Sequence, residues 1–304
     1  MSFNSSSLVG LAALLLVGLI IAIIAMTAYT IYLLTHPPRR TYASALARGR
    51  PGDPGELDPG LRGKRPFTSW TFQHGGLDLP VWDIQGDKPD GPIVILSHGW
   101  GDSRIGGLTR TPALATHASR LILWDMPGHG EAKGTCALGT REVGALLTLI
   151  ERIGAPVVLF GWSLGAGVSI AAAVQTDSVK GVIAEAPYRL PWTPARNVLA
   201  SFGLPFRINL PLAMGILGLR FGLGPMWPGF DRAALAAKLR APLLVIHGAL
   251  DTICPVQDGR DIAGAAPHHD LLILDNGAHH SIWTDPQFAE PCTKALHRFL
   301  ASMP

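Results

Sequence analysis

The stretch Pro156-Val157-Val158-Leu159-Phe160-Gly161-Trp162-Ser163-Leu164-Gly165-Ala166-Gly167 decides how the rest of the chain reads. Its first half is an apolar run of strand length. Beyond Ser163, residues 168–174 are small and apolar and suit a buried helix. Gly-x-Ser-x-Gly between a strand and a helix is the pattern of a nucleophile elbow. The turn is sharp enough to strain the serine backbone, and Gly161 and Gly165 avoid side-chain clashes with the neighbouring strand and helix. It lifts the Ser163 hydroxyl to a helix N-terminus, where free N–H groups favour a developing anion. By itself the pattern is weak, because 35 glycines in 304 residues make such turns by chance. Its neighbours in the sequence must carry it.

Those neighbours alternate short apolar runs with helix-length segments. Residues 67–72 and 79–84 are expected to form an opening pair of strands. Further strands are expected at 92–97, 121–124, 157–160, 179–184, 243–246 and 271–274. Helices are expected near 111–118, 140–153, 163–175, 256–266 and 286–301. Continuous apolar strands alternating with helices imply an α/β fold, a mostly parallel sheet covered on both faces. Reactive groups in such sheets collect at the C-terminal strand ends. The clusters His98-Gly99-Trp100, Asp125-Met126-Pro127-Gly128-His129-Gly130, His247-Gly248 and Asp275-Asn276-Gly277 all fall there.

With these landmarks in order, joined by His247-Gly-x-x-Asp251-x-x-x-Pro255 and Gly277-Ala-His-His280, residues 67–300 resemble the α/β-hydrolase superfamily. The resemblance is to the branch of serine aminopeptidases, monoacylglycerol lipases and related acyl hydrolases. It implies a triad in the order Ser, acid, His. Ser163 is the expected nucleophile and Asp251 the expected acid, with Asp258 and Asp275 as weaker substitutes. The base is His279 or His280. The family usually reads Gly-Ala-x-His here, which selects His280 and leaves His279 beside it. The oxyanion hole is expected from the N–H groups of Leu164, after the nucleophile, and of Trp100, after His98-Gly99. His98 and His129 read as structural loop histidines. The adjacent histidines 279–280 and 268–269 could suggest a metal, but no His-Glu-x-x-His or Cys-rich spacing supports one, and no cofactor is implied.

The composition is 48% hydrophobic and only 15% charged, with a mean hydropathy of +0.27. Much of that excess lies in residues 8–34, which contain no charge and no proline. About 20 such residues cross a bilayer core, so 8–34 is expected to be a transmembrane anchor. A cleaved signal peptide would want a basic start and a shorter apolar core. Arg39, Arg40, Arg48 and Arg50 follow the span while no Lys or Arg precedes it, which favours a single-pass protein with its main domain on the cytoplasmic side. Three scattered cysteines show no disulfide framework. A net charge of +3 does not suggest a nucleic-acid partner.

Residues 35–66 read as a Pro/Gly/Arg-rich linker and 67–304 as the hydrolase domain, with a cap inserted at about 187–230. The cap is rich in Leu, Phe and Trp, and its charged residues are Arg189, Arg196, Arg207 and Arg220, with no acid. An apolar, cationic cap suits an acyl or lipid-like substrate and contact with a membrane surface. The expected activity is cleavage of carboxylic esters or thioesters through an acyl-enzyme. A peptidase is disfavoured, since Glu185 is the one nearby acid to hold a substrate ammonium. Dehalogenase chemistry would need a carboxylate where Ser163 stands. The rival from another class is a catalytically silent, membrane-tethered interaction module. The sequence leaves the oligomeric state open.

Overall fold

The central strands are largely apolar and buried because both of their faces are covered. In the computed structural model, which describes residues 5–57 and 65–303, the strands are β1 (Phe67–His74), β2 (Leu77–Gln85), β3 (Ile93–Ser97), β4 (Arg120–Trp124), β5 (Val157–Trp162), β6 (Val179–Glu185), β7 (Leu243–Gly248) and β8 (His269–Leu274). They form one eight-stranded sheet in the order β1-β2-β4-β3-β5-β6-β7-β8. β2 pairs antiparallel with β1 and β4, and every other pair is parallel.

Side chains alternate between the two faces, as the pleat requires. Ile95, Ile122, Leu159, Val182 and Val245 join one buried cluster. Their neighbours Val94, Leu121, Val158, Ile183 and Leu244 join the other. The helices are α1 (Ser5–Thr35), α2 (Tyr42–Leu46), α3 (Arg104–Gly107), α4 (Thr111–Ala115), α5 (Glu142–Ile153), α6 (Leu164–Ala173), α7 (Trp192–Ser201), α8 (Asn209–Arg220), α9 (Arg232–Ala236), α10 (Val256–Ala265) and α11 (Pro286–Ala301). α5, α6, α9 and α10 supply the first cluster, and α4 and α11 the second. α7, α8 and α9 lie between β6 and β7, where the sequence breaks its strand–helix rhythm.

Along α1 the burial changes. Leu8, Leu14, Ile21 and Ile24 are exposed, while Thr27, Thr30, Leu34 and Thr35 near its end are buried against the domain. Asn209 of α8 donates from Nδ2 to Thr30 Oγ1 at 2.7 Å. The segment after α1, expected as a linker, is packed rather than loose. Arg39 Nη1 donates to the carbonyls of Gly130 and Ala132, each at 3.0 Å. Arg40 pairs with Asp102 at 2.8 Å, and Ala45 of α2 is fully buried. Prolines and arginines read as linker composition, but here the arginines are the means of attachment. Residues 58–64 of that segment, and Pro304, lie outside the described residues.

α6 crosses β3 so closely that a Cβ built on Gly165 would stand 2.0 Å from the Ser97 carbonyl oxygen, and one on Gly161 would stand 2.2 Å from that of Gly165. Gly165→Ala is therefore expected to cost about 3 kcal/mol or more through overpacking. Gly264→Ala, in α10 with open space around its Cβ, should stabilise by up to about 1 kcal/mol. Urea unfolding of the two variants beside the parent protein checks the contrast.

Candidate active site

Ser163 has φ 52° and ψ −115°, a positive-φ conformation rare for a residue with a side chain. Its N–H donates to the Glu185 carbonyl oxygen at 2.8 Å, so the neighbouring strand β6 holds the turn in place. Glu185 is itself pinned. Its carboxylate takes Arg110 Nε at 2.8 Å and Trp283 Nε1 at 2.7 Å. The Arg110 guanidinium also lies 4.1 Å from the Trp162 ring centroid. Glu185 is 1% exposed. With its oxygens committed to Arg110 and Trp283, it offers nothing to a substrate ammonium.

Asp251 sits in the turn after β7 with its side chain fully buried. One oxygen accepts the N–H groups of Ile253 and Cys254, both at 2.8 Å. The other accepts His279 Nδ1 at 2.6 Å and faces His247 Nε2 at 3.5 Å. Burial alone would push this carboxyl upward. The hydrogen bonds from His247, His279 and the turn amides outweigh it and hold the group well below the usual carboxylate range.

The histidine bonded to Asp251 is thus His279, where the family spacing selects His280. The loop leaves β8 in a tight turn, with Gly277 N–H closing on Leu274 O at 2.9 Å. His280 lies edge-on to His279, with ring centroids 4.8 Å apart, and its ring makes no hydrogen bond among the described residues. Asp275 and Asp258 are not at this contact; Asp258 instead accepts the Arg189 N–H at 3.1 Å.

Ser163, Leu164, Trp100, His279 and His280 line one cavity of about 420 Å³. Apolar side chains from the end of α1 (Leu34), from α7 (Ala195, Val198) and from Phe202 and Ile253 form much of the remaining wall. The N–H groups of Leu164 and Trp100 have no hydrogen-bond partner among the described residues. Beside Trp100, buried His98 donates from Nδ1 to Gly99 O at 2.8 Å and accepts Met126 N–H on Nε2 at 2.9 Å. It ties two loops together, and burial pushes its pKa down, which keeps it neutral. His129, also buried, bonds the Pro127 carbonyl at 3.0 Å. Both are loop braces, as the sequence suggested.

The Ser163 hydroxyl has one polar neighbour among the described residues, Cys254 Sγ at 3.9 Å. Asp251, Cys254 and His279 bring their donor atoms within 4.8 Å of one another, close enough to hold an ion. The chemistry of the set argues otherwise. Asp251 already accepts from two amides and from His279, which leaves its oxygens little to give a cation. Sequence reasoning missed Cys254, His247, Arg110 and Trp283. For His247 the His-Gly-x-x-Asp spacing was an available signal. The Arg110–Glu185–Trp283 contact joins positions 75 and 98 residues apart, and nothing local marks it.

A carboxyl with a depressed folded-state pKa stabilises the fold fully above its unfolded value, about 3.9, and loses that contribution as pH falls. The parent protein should therefore lose stability as pH drops below about 4, and Asp251→Asn should flatten part of that acid limb. Urea midpoints measured across a pH series test this.

A family model described as "Alpha/beta hydrolase family" matches residues 93–290. A pimeloyl-[acyl-carrier protein] methyl ester esterase of Xanthomonas campestris pv. campestris is 30% identical over 255 residues, covering 70% of this chain and 97% of that protein. Among solved structures, the esterase Pf2001 of Pyrococcus furiosus superposes with a TM-score of 0.65 at 18% identity, over 90% of this chain and 99% of that one. A membrane phospholipase A described as a bacterial virulence factor superposes with a TM-score of 0.59 at 16% identity, over 98% of this chain and 100% of that one. The sheet order, the strained serine between β5 and α6 and these likenesses agree: this chain belongs to the α/β-hydrolase family.

Proposed function

We propose that this esterase-type α/β-hydrolase cleaves carboxylic esters or thioesters of apolar acyl groups by way of an acyl-enzyme on Ser163. The observation that carries the reading is the 2.6 Å hydrogen bond between Asp251 and His279 Nδ1 beside the cavity that holds Ser163. That bond leaves His279 Nε2 free as the base. In the resting enzyme the Ser163 hydroxyl lies by Cys254, and substrate binding turns it about χ1 to His279. Hydrogen bonds between nucleophile and base commonly tighten only with substrate in place.

Ser163 Oγ then forms a bond to the acyl carbon while its proton passes to His279 Nε2. The carbonyl oxygen becomes an anion and is held by the unpartnered Trp100 and Leu164 N–H groups. Asp251 fixes the His279 tautomer and stabilises the imidazolium. Collapse breaks the bond to the alcohol or thiol, which leaves with the proton from His279. Water repeats the sequence and releases the acid. The walls supplied by α1, α7 and Phe202 suit an acyl chain, and a cavity of about 420 Å³ has the size of small-molecule sites. The Xanthomonas relative, a methyl ester esterase by name, supports an ester over an amide. So does Glu185, whose commitment to Arg110 and Trp283 removes the anchor a peptidase would use.

The same proposal places the enzyme on a membrane. α1 carries a 28-residue segment, Leu8–Thr35, long and apolar enough to span one. On α8 and just before it, Ile208, Leu212, Ile216 and Leu219 form an exposed apolar face at helical spacing, on the helix that packs against α1. The segment 187–230, which carries α8, would act as a cap meeting the lipid surface. The arginines after the span favour a domain on the cytoplasmic side.

A fluorophosphonate probe should label the detergent-solubilised protein and not Ser163→Ala. With p-nitrophenyl butyrate, His279→Ala should lose about 1000-fold or more in kcat/KM. His280→Ala should lose less than about 10-fold, an effect of the wall alone. A folded wild-type protein that takes no label and turns over no ester would sink the reading. The reverse order of the two histidines would make His280 the base.

A further inference from the structure

Helix α1 ends in Thr35-His36-Pro37-Pro38. A helical carbonyl is normally taken by the N–H four residues on, and the N–H that would take Leu34 O belongs to residue 38, a proline without one. The last ordinary helical bond runs from His36 N–H to Tyr32 O at 2.8 Å. The Leu34 carbonyl is satisfied from outside the helix. Trp100 donates to it from the indole Nε1 at 3.0 Å. One residue on, the Thr35 carbonyl takes the Cys136 N–H at 2.9 Å. The chain beyond α1 grips the Trp100 loop again. Arg40 bonds the same Asp102 Oδ1 that accepts the Ser103 N–H, each at 2.8 Å.

We infer that the bond between the Trp100 indole and the Leu34 carbonyl sets the backbone of residues 99–101, so that the end of the N-terminal helix positions the oxyanion-holding N–H of Trp100. This rests on the hydrolase reading proposed above. The Trp100 side chain is a positioning residue. Its backbone N–H meets the reacting oxygen, and its indole, bonded to Leu34 O, holds that N–H in register. α1 is then part of the catalytic apparatus as well as a tether. Leu34 and Pro38 take part twice, since they also line the cavity beside Ser163.

A merely structural role for Trp100 makes a different prediction, and full-length protein in detergent separates the two. Trp100→Phe keeps an aromatic wall and removes the indole donor. With p-nitrophenyl butyrate its kcat is expected to fall about 10- to 100-fold, the range for a displaced oxyanion donor, with KM within about 2-fold. Affinity for an alkyl boronic acid, whose tetrahedral serine adduct places an oxygen in the same position, should fall in parallel with kcat/KM. Affinity for a ground-state amide analogue should not. Pro38→Ala restores an N–H that competes with the indole for Leu34 O, so it should lose part of the same activity, and the double variant should be no worse than Trp100→Phe alone.

Normal kcat and boronate affinity in Trp100→Phe would overturn the inference. So would losses that multiply independently in the double variant, or a lowered melting temperature with unchanged turnover per folded enzyme. If instead the wild-type protein hydrolyses no ester, the hydrolase reading fails, and the inference fails with it.

Discussion

The turn at Ser163 is the constraint on which the rest depends. A serine at φ 52° is costly unless its surroundings leave no alternative, and here they are built from several directions. Gly161 and Gly165 let β5, α6 and β3 approach until no Cβ fits between them. The Glu185 carbonyl takes the Ser163 N–H. The Glu185 carboxylate in turn is fixed by Arg110, from the loop before α4, and by Trp283, from the segment before α11. The strained turn at Ser163 is thus backed by a buried ion pair. Removing one partner of such a pair leaves an uncompensated charge.

The same economy governs the two loops that face Ser163. Asp251 reaches full burial only because two turn amides and His279 satisfy its oxygens, with His247 close by. The loop of Trp100 is held by neutral His98 through the Gly99 carbonyl and by the end of α1 through the Leu34 carbonyl. Prolines at 37 and 38 serve two purposes in this arrangement. They stop the helix, and they leave a carbonyl that the Trp100 indole takes. A segment whose composition reads as an exposed linker is in this way bonded to the site at several points.

The fold was largely legible because its signals are local and repeated. The paired opening strands, the buried parallel strands and the landmarks at their C-terminal ends all stood within a few residues of their expected places. α11 was legible to its boundaries. α6 proved shorter than the expected 163–175, running from Leu164 to Ala173, since Ser163 is the strained residue before the helix. The choice of histidine was not legible. His279 and His280 are adjacent and chemically identical, and only the path of the backbone from Gly277 decides which ring meets Asp251.

Sequence by itself determined what periodicity and spacing can encode. That covers the α/β class, the elbow, the acid-bearing turn, and an apolar N-terminal helix long enough to span a membrane. Tertiary structure decided what depends on chains meeting at a distance. It brought His279 to Asp251, committed Glu185 to Arg110 and Trp283, set Cys254 beside the Ser163 hydroxyl, and laid the end of α1 against Trp100. The physical reason is the range of the forces involved. Burial and helix or strand preference act over a few residues and leave a periodic trace. A hydrogen bond between residues 34 and 100 leaves none, because either partner alone is an ordinary residue in an ordinary place.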